Sequence, residues 1–132
     1  MTNFGDMTLK EFASALSSKK PTPGGGSASA VALSQAGALT SMVANLTLGR
    51  ERYESGWEAA EIALQVGTKA IEMGHSLADA DASGYDAVMA AFRMPKDTDD
   101  ERELRKLTIQ NASINAAKPP MQIAELSLDL MR

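Results

Sequence analysis

Apolar positions recur at helical spacing along almost the whole chain. Leu9, Phe12 and Leu16 follow the start of Thr8-Leu9-Lys10-Glu11. That tetrad is a capping-box pattern, in which a hydroxyl and a carboxylate satisfy backbone donors at a helix start. This first helix should stop near Ser18, because Lys19-Lys20-Pro21-Thr22-Pro23 cannot continue it. Residues 1–7 before it read as a frayed terminus. After Gly24-Gly25-Gly26, a second helix should open at Ser27 or a nearby residue and run to about Leu48. Its apolar positions (Val31, Ala32, Leu33, Ala36, Leu39, Met42, Val43, Leu46) lie almost all round, so it is expected at the centre of the fold. Gly49 ends it, with Arg50 and Arg52 where positive charge is favourable.

A third, longer helix is expected from about Ser55 to Phe92. Trp57, Leu64, Ile71, Ala78, Tyr85 and Phe92 are seven residues apart, and Ala60, Gly67, Gly74, Asp81 and Val88 form a companion column. Two such columns make a seam with spacing near 3.5, as in antiparallel bundles. Residues 94–99 form a loop. A fourth helix should span Asp100 to Ala117, with Leu104, Leu107 and Ile114 inward. Lys118-Pro119-Pro120 should break it, and a fifth should begin near Met121. Ile123, Leu126 and Leu130 on that last helix are expected to need a partner from outside the chain. The pattern therefore predicts an all-α fold, a bundle of about five antiparallel helices around one long one.

Composition narrows this picture without changing it. The chain has 132 residues, which suits one domain, and 44% of them are hydrophobic and 23% charged. Aromatics make up only 5%, which disfavours strands. The net charge of −4 argues against non-specific nucleic-acid binding as the main activity. The absence of cysteine removes thiol nucleophiles, disulfides and Cys-type zinc sites, and is compatible with the cytoplasm. No basic and apolar leader opens the sequence. Residues 28–48 are interrupted by Ser34, Gln35, Thr40, Ser41 and Asn45, so they read as a buried helix and no membrane span is expected.

The candidate chemistry starts at the triple glycine. Alone, three glycines read as a flexible linker. Here Pro21 and Pro23 stiffen the approach and Ser27 leads straight into a helix. That arrangement aims backbone N–H groups at an anion or a carbonyl oxygen. Neither a Walker motif nor a dinucleotide fingerprint is present. Asp81 stands in the seam of the long helix. Either it is partly desolvated, and so a plausible proton carrier, or water or a cation reaches it there. Asp86 lies well round the helix from Asp81, and Asp79 reads as surface. Asn45, Thr47, Arg50, Arg52 and Tyr53 cluster where the second helix ends, where capping and solvated charge would explain them equally. His75, the only histidine, reads as structural, and no pair of residues has metal-ligand spacing.

Two segments carry a resemblance to a known family. Lys20-Pro21-Thr22-Pro23-Gly24-Gly25-Gly26-Ser27-Ala28 and Ser41-Met42-Val43-Ala44-Asn45-Leu46-Thr47-Leu48-Gly49-Arg50 resemble the cyclodeaminase domain of formiminotransferase-cyclodeaminase. They resemble still more its bacterial relatives, the methenyltetrahydrofolate cyclohydrolases. The likeness continues through Asp81, Tyr85 to Met89, Met94 to Thr98, Ile109-Gln110 and Pro120-Met121, from about Thr8 onward. It implies a single helical domain over residues 1–132, truncated at its C-terminal end, since the family continues through further helices. It implies tight homodimers or higher homo-oligomers, with tetrahydrofolate derivatives in a cleft at or near the subunit contact. The implied reaction is hydrolysis of 5,10-methenyltetrahydrofolate, or cyclisation of 5-formiminotetrahydrofolate with loss of ammonia. No cofactor or metal is implied beyond the folate substrate. By the same resemblance Pro23, Gly24, Gly25, Gly26 and Ser27 would hold the pterin or its one-carbon bridge. Asn45 and Thr47 would line the pocket, Arg50 with Lys96 would meet the glutamate tail, and Asp81 would be the general acid/base. A non-catalytic helical protein that binds folate or a partner, or that serves only as an oligomerisation module, is the alternative.

Overall fold

The computed structural model describes residues 3–132, and every element among them is helical. Helix α1 spans Leu9–Leu16, α2 Gly25–Thr47, α3 Trp57–Phe92 and α4 Asp99–Met131. Short 3-10 turns occupy Phe4–Asp6 and Glu51–Gly56. The expected all-α class holds, with four α-helices in place of about five. None of these helices is long and apolar enough to cross a membrane.

The local signals act where the sequence puts them. The Thr8 hydroxyl accepts the Glu11 N–H at 3.1 Å and the Glu11 carboxylate accepts the Thr8 N–H at 2.8 Å, which completes the capping box. Gly49 follows α2 with φ +79°, a backbone conformation that suits glycine. Thr98 caps α4 by accepting the Glu101 N–H at 3.1 Å.

Helices α2 and α3 run antiparallel in backbone contact, as the series of close approaches shows. A Cβ placed on Gly37 would sit 2.6 Å from the Gly67 carbonyl oxygen, and one on Gly74 would sit 2.8 Å from that of Ala30. Ala60, Gly67 and Gly74 of the companion column are buried in this crossing. Only residues without side-chain bulk allow so close an approach, so the seam is made of Gly, Ala and Ser. Tyr85 and Phe92 are exposed instead, because α2 begins opposite Ala78–Asp81 and does not reach the last third of α3, which packs against α4 only along the face that carries Gly84.

Several expectations about the helices need correction. First, α2 is not buried all round. Its inward face is Ser27, Ala30, Leu33, Ser34, Gly37, Ser41 and Ala44, while Leu39, Met42, Val43 and Leu46 are exposed. The small residues face α3 because that is where backbones meet, and the large ones are turned outward. Second, α4 passes unbroken through Pro119 and Pro120. An interior proline removes a hydrogen bond and costs about 3 kcal/mol. Burial of Pro119, Ile123 and Leu126 offsets that cost. Ile123 and Leu126 join Phe4, Ala30, Leu33, Leu77 and Ala82 in one core cluster, with Leu130 against it, so their partner comes from within the chain. Third, Leu104, Leu107 and Ile114 point to solvent and not inward. The N-terminal half of α4 lies along the end of α3, where the Arg105 guanidinium donates to the Phe92 carbonyl oxygen at 3.2 Å.

The start of the chain is not frayed where it is described, although Met1 and Thr2 lie outside the described residues. Phe4 is buried, and its N–H donates to Asp79 Oδ1 at 2.8 Å. Asp79, expected on the surface, is therefore half-buried and anchors this segment.

Candidate functional site

The glycine segment and Asp81 meet directly. Antiparallel pairing of α2 with α3 brings the first turn of α2 against Ala78–Asp81. Ser27 is fully buried, and its hydroxyl donates to the Ala78 carbonyl at 2.7 Å. This bond ties the start of α2 to α3 one turn before Asp81. Gly24 caps α2 in extended conformation with no side-chain hydrogen bond, so the first backbone donors of the helix lack a capping side chain from their own segment. The Asp81 carboxyl group comes to that place from α3, close enough for the Ser27 N–H to favour its charged form.

The room for that carboxylate is made by Gly26. A methyl group on Gly26 would overlap all three atoms of the Asp81 carboxyl group. Gly26 is thus required for side-chain space, not for backbone freedom. Burial pushes the Asp81 carboxyl above its ordinary pKa, and the Ser27 N–H pulls it back by less. Net desolvation of an ionisable group beside a helix N-terminus favours proton exchange nearer neutral pH.

A cleft of about 1080 Å³ lies on the other side of Pro23, between α1 and α3. Lys10, Ser14, Ser18, Lys20, Thr22, Pro23, Asp79, Ser83 and Asp86 are among its walls. Thr22 and Asp86 touch across it at 3.4 Å. Asp81 is not part of this cleft, which agrees with the expectation that Asp81 and Asp86 face different spaces. Lys10, Lys20 and Ser83 were not singled out by sequence. Only the 3–4 spacing of Asp79, Ala82, Ser83 and Asp86 could have grouped the α3 side of this wall.

The remaining candidates lie far from Asp81. Asn45 and Thr47 close the opposite end of α2, which at 1.5 Å per residue is about 28 Å from Gly26 to Asn45. The Thr47 carbonyl accepts the Trp57 indole N–H at 3.1 Å, and the Thr47 hydroxyl donates to Val43 O. Arg50 is exposed, and its guanidinium has no partner among the described residues. Lys96 sits in the loop after α3, beyond Phe92, which is itself about 16 Å along the helix from Asp81. One chain therefore brings together Pro23, Gly24, Gly25, Gly26, Ser27 and Asp81, and holds Asn45, Thr47, Arg50 and Lys96 apart from them. No group of three or more His, Asp or Glu among the described residues could hold a metal ion.

Comparisons with known proteins agree on one family. The family model for formiminotransferase-cyclodeaminase matches residues 8–132. A methenyltetrahydrofolate cyclohydrolase of Methylorubrum extorquens is 39% identical over 121 residues, covering 89% of this chain and 56% of that protein. The rat formimidoyltransferase-cyclodeaminase is 31% identical over 120 residues, covering 91% of this chain and 22% of its own length. The crystal structure of formiminotetrahydrofolate cyclodeaminase from Thermotoga maritima superposes with a TM-score of 0.80 at 31% identity. That match covers 96% of this chain and 59% of the other. The chain thus spans little more than half the length of its bacterial relatives.

Proposed function

The chain belongs to the formiminotransferase-cyclodeaminase family, and on that premise we propose that it acts in folate one-carbon metabolism as a methenyltetrahydrofolate cyclohydrolase or a formiminotetrahydrofolate cyclodeaminase. The observation that carries the chemical part is the Asp81 carboxyl group, desolvated, seated in the space left by Gly26 beside the start of α2.

In the hydrolytic direction, water adds to the carbon bridging N5 and N10. Ionised Asp81 takes one proton from that water as the C–O bond forms. It then returns the proton to N5 as the C–N5 bond breaks, leaving the formyl group on N10. The second water proton goes to solution. In the deaminating direction, N10 adds to the formimino carbon. The formimino nitrogen enters protonated, as an amidinium; Asp81 moves the N10 proton to it, it leaves as ammonia, and the positive charge stays on the methenyl bridge. Both routes cross a tetrahedral carbon and need a proton carrier at nitrogen, so one carboxyl group serves either.

Pro23 and the glycines would bound the pterin or its bridge, with Ser27 contributing its N–H and its anchor to Ala78. Asn45 and Thr47 would line the pocket, and Arg50 with Lys96 would meet the glutamate carboxylates. No cofactor beyond the folate is required. Because one chain holds these residues apart, the reading needs a homodimer or a larger homo-oligomer.

The test is the absorbance of 5,10-methenyltetrahydrofolate, and ammonia release from 5-formiminotetrahydrofolate, with and without the protein. One of the two substrates should turn over. Asp81→Asn should keep the fold and lower turnover by roughly 100- to 10,000-fold. Unchanged turnover removes Asp81 from the mechanism. Binding without turnover by the wild type favours the non-catalytic alternative.

A further inference from the structure

The cleft between α1 and α3 has no part in the proposed folate chemistry, and Asp81 is not among its walls. Its floor is apolar, with Phe4, Pro23 and Ala82 buried and Met7 half-buried beside them. Its charged groups are unequally satisfied. Glu11 and Asp79 each accept a backbone N–H at 2.8 Å, from Thr8 and Phe4. Asp86 has only the Thr22 hydroxyl, at 3.4 Å, where a hydroxyl bound to a carboxylate normally sits at about 2.5–2.7 Å. Lys10 and Lys20 belong to no ion pair, since the one pair among the described residues joins Arg102 to Asp99.

The unsatisfied charges stand at the two ends of the cleft. Lys10 is in the first turn of α1, just after the segment that Phe4 fixes to Asp79. Asp86 is at the other end, beside Thr22. Asp79 and Asp86 are two turns apart on α3, so at 1.5 Å per residue the ends lie about 10 Å apart.

We propose that this cleft binds a short apolar peptide with free termini, about three residues long, its ammonium on Asp86 and its carboxylate on Lys10. The mixture of signs selects a zwitterion, because a purely anionic ligand would meet Asp86 and a purely cationic one Lys10 and Lys20. The separation selects a peptide over a free amino acid. A single residue carries both charges close together and cannot reach both ends, whereas an extended chain at about 3.3–3.6 Å per residue spans the cleft with three. The floor selects apolar side chains, since those of Phe4, Pro23 and Ala82 offer no hydrogen-bonding group. Ser14 and Ser83 on the walls supply hydroxyls for the peptide backbone. A cleft of about 1080 Å³ with an apolar lining and a few placed polar groups is of the kind that holds small ligands. The site does not rest on the folate reading.

Trileucine is the probe, titrated into the isotope-labelled chain and followed by NMR. Binding should saturate, with the largest amide shifts at Met7, Ser14, Ser83 and Asp86. Acetylating the peptide's N-terminus, amidating its C-terminus, Asp86→Asn and Lys10→Met should each weaken binding about fivefold, the upper range for an exposed ion pair. In Asp86→Asn acetylation should cost nothing further, and in Lys10→Met amidation should cost nothing further, a pattern that a general loosening of the fold does not produce. Leucine alone should bind far more weakly. Failure of trileucine to saturate overturns the proposal, and so does equal binding of its doubly capped form or of leucine. Shifts confined to the exposed Leu39, Met42, Val43 and Leu46 would mean adventitious apolar contact and overturn it too. Acetylation that weakens binding to Asp86→Asn as much as to the wild type overturns the assignment of the ends.

Discussion

Gly26→Ala separates the position of Asp81 from the fold around it. The added methyl would overlap the Asp81 carboxyl group and meets no backbone atom among its nearest neighbours. The obstruction is the free end of a two-torsion side chain, so Asp81 swings aside and the helices stay in place. Swinging takes the carboxylate away from the Ser27 N–H, an attraction worth at most the about 1.5–3 kcal/mol of a hydrogen bond to a charged group. Two gains oppose that loss. Alanine is better than glycine in a helix by up to about 1 kcal/mol, and a carboxylate moved toward water recovers solvation. Net stability should change by no more than about 1–2 kcal/mol, a shift in Tm of at most about 8 °C for a chain of this size. Turnover should fall far more, by roughly 100- to 10,000-fold, because the proton carrier no longer sits where the helix start placed it. Thermal denaturation by circular dichroism and the loss of methenyltetrahydrofolate absorbance measure the two effects on one preparation. The double variant with Asp81→Asn should be no slower than either single one, since both remove the same group. A folded Gly26→Ala protein with wild-type turnover would refute the reasoning.

The remaining predictions concern stability. Burial raises the Asp81 pKa in the folded state, so its favourable contribution is complete below the unfolded-state value and is lost as pH rises through the raised one. Asp81→Asn should therefore melt at or above the wild type at neutral pH, and the difference should fade in acid below the ordinary Asp range; a clearly lower Tm at neutral pH would mean the Ser27 N–H outweighs burial. Gly37→Ala puts a methyl 2.6 Å from the Gly67 carbonyl and 2.8 Å from Ala70 Cβ, neither of which can move alone. Overpacking of about 1–3 kcal/mol, less up to about 1 kcal/mol of helix preference, should lower the urea midpoint, and an unchanged midpoint would show that the crossing is slack. Pro120→Ala restores a backbone N–H to an exposed position inside α4 and should stabilise the chain by about 1–3 kcal/mol, read as a rise in Tm.

The helices were legible wherever a local signal fixed them. The Thr8 capping box, the Gly49 stop and the column of Ala60, Gly67 and Gly74 name their positions without tertiary knowledge. What failed was the choice between faces. On α2 and α4 two stripes compete, and periodicity does not say which is inside. The inward stripe of α2 is the one with less bulk, because backbone-to-backbone contact with α3 needs small residues and large ones cannot enter it. The break expected at Pro119 and Pro120 failed for a related reason. Propensity is local, and the burial of Ile123 and Leu126 that overrides it depends on Leu33 and Leu77, distant in sequence. The meeting of Gly26 with Asp81 was legible only in part. Both residues could be singled out, but their contact follows from the register of α2 against α3.

That register explains why the glycine segment and the carboxylate occur together. Along α3 the column opposite α2 is small at Ala60, Gly67 and Gly74, and its next member is Asp81. At the first three positions α3 gives up its side chain so that α2 can approach: Gly67 faces Ser41 and Gly74 faces Ala30 and Ser34. At the fourth the roles reverse. Asp81 keeps its side chain, and the space comes from Gly26 on α2. Had α2 carried any larger residue there, the same close crossing would have expelled the carboxyl group toward water and returned its pKa toward the ordinary value. Had the crossing been wider, Asp81 would not have reached the Ser27 N–H. The tight Gly/Ala/Ser seam therefore does more than hold two helices together. By fixing their separation at Gly37 and Gly74, it sets the depth at which Asp81 is buried two turns further along, and with it the proton affinity on which the proposed chemistry depends.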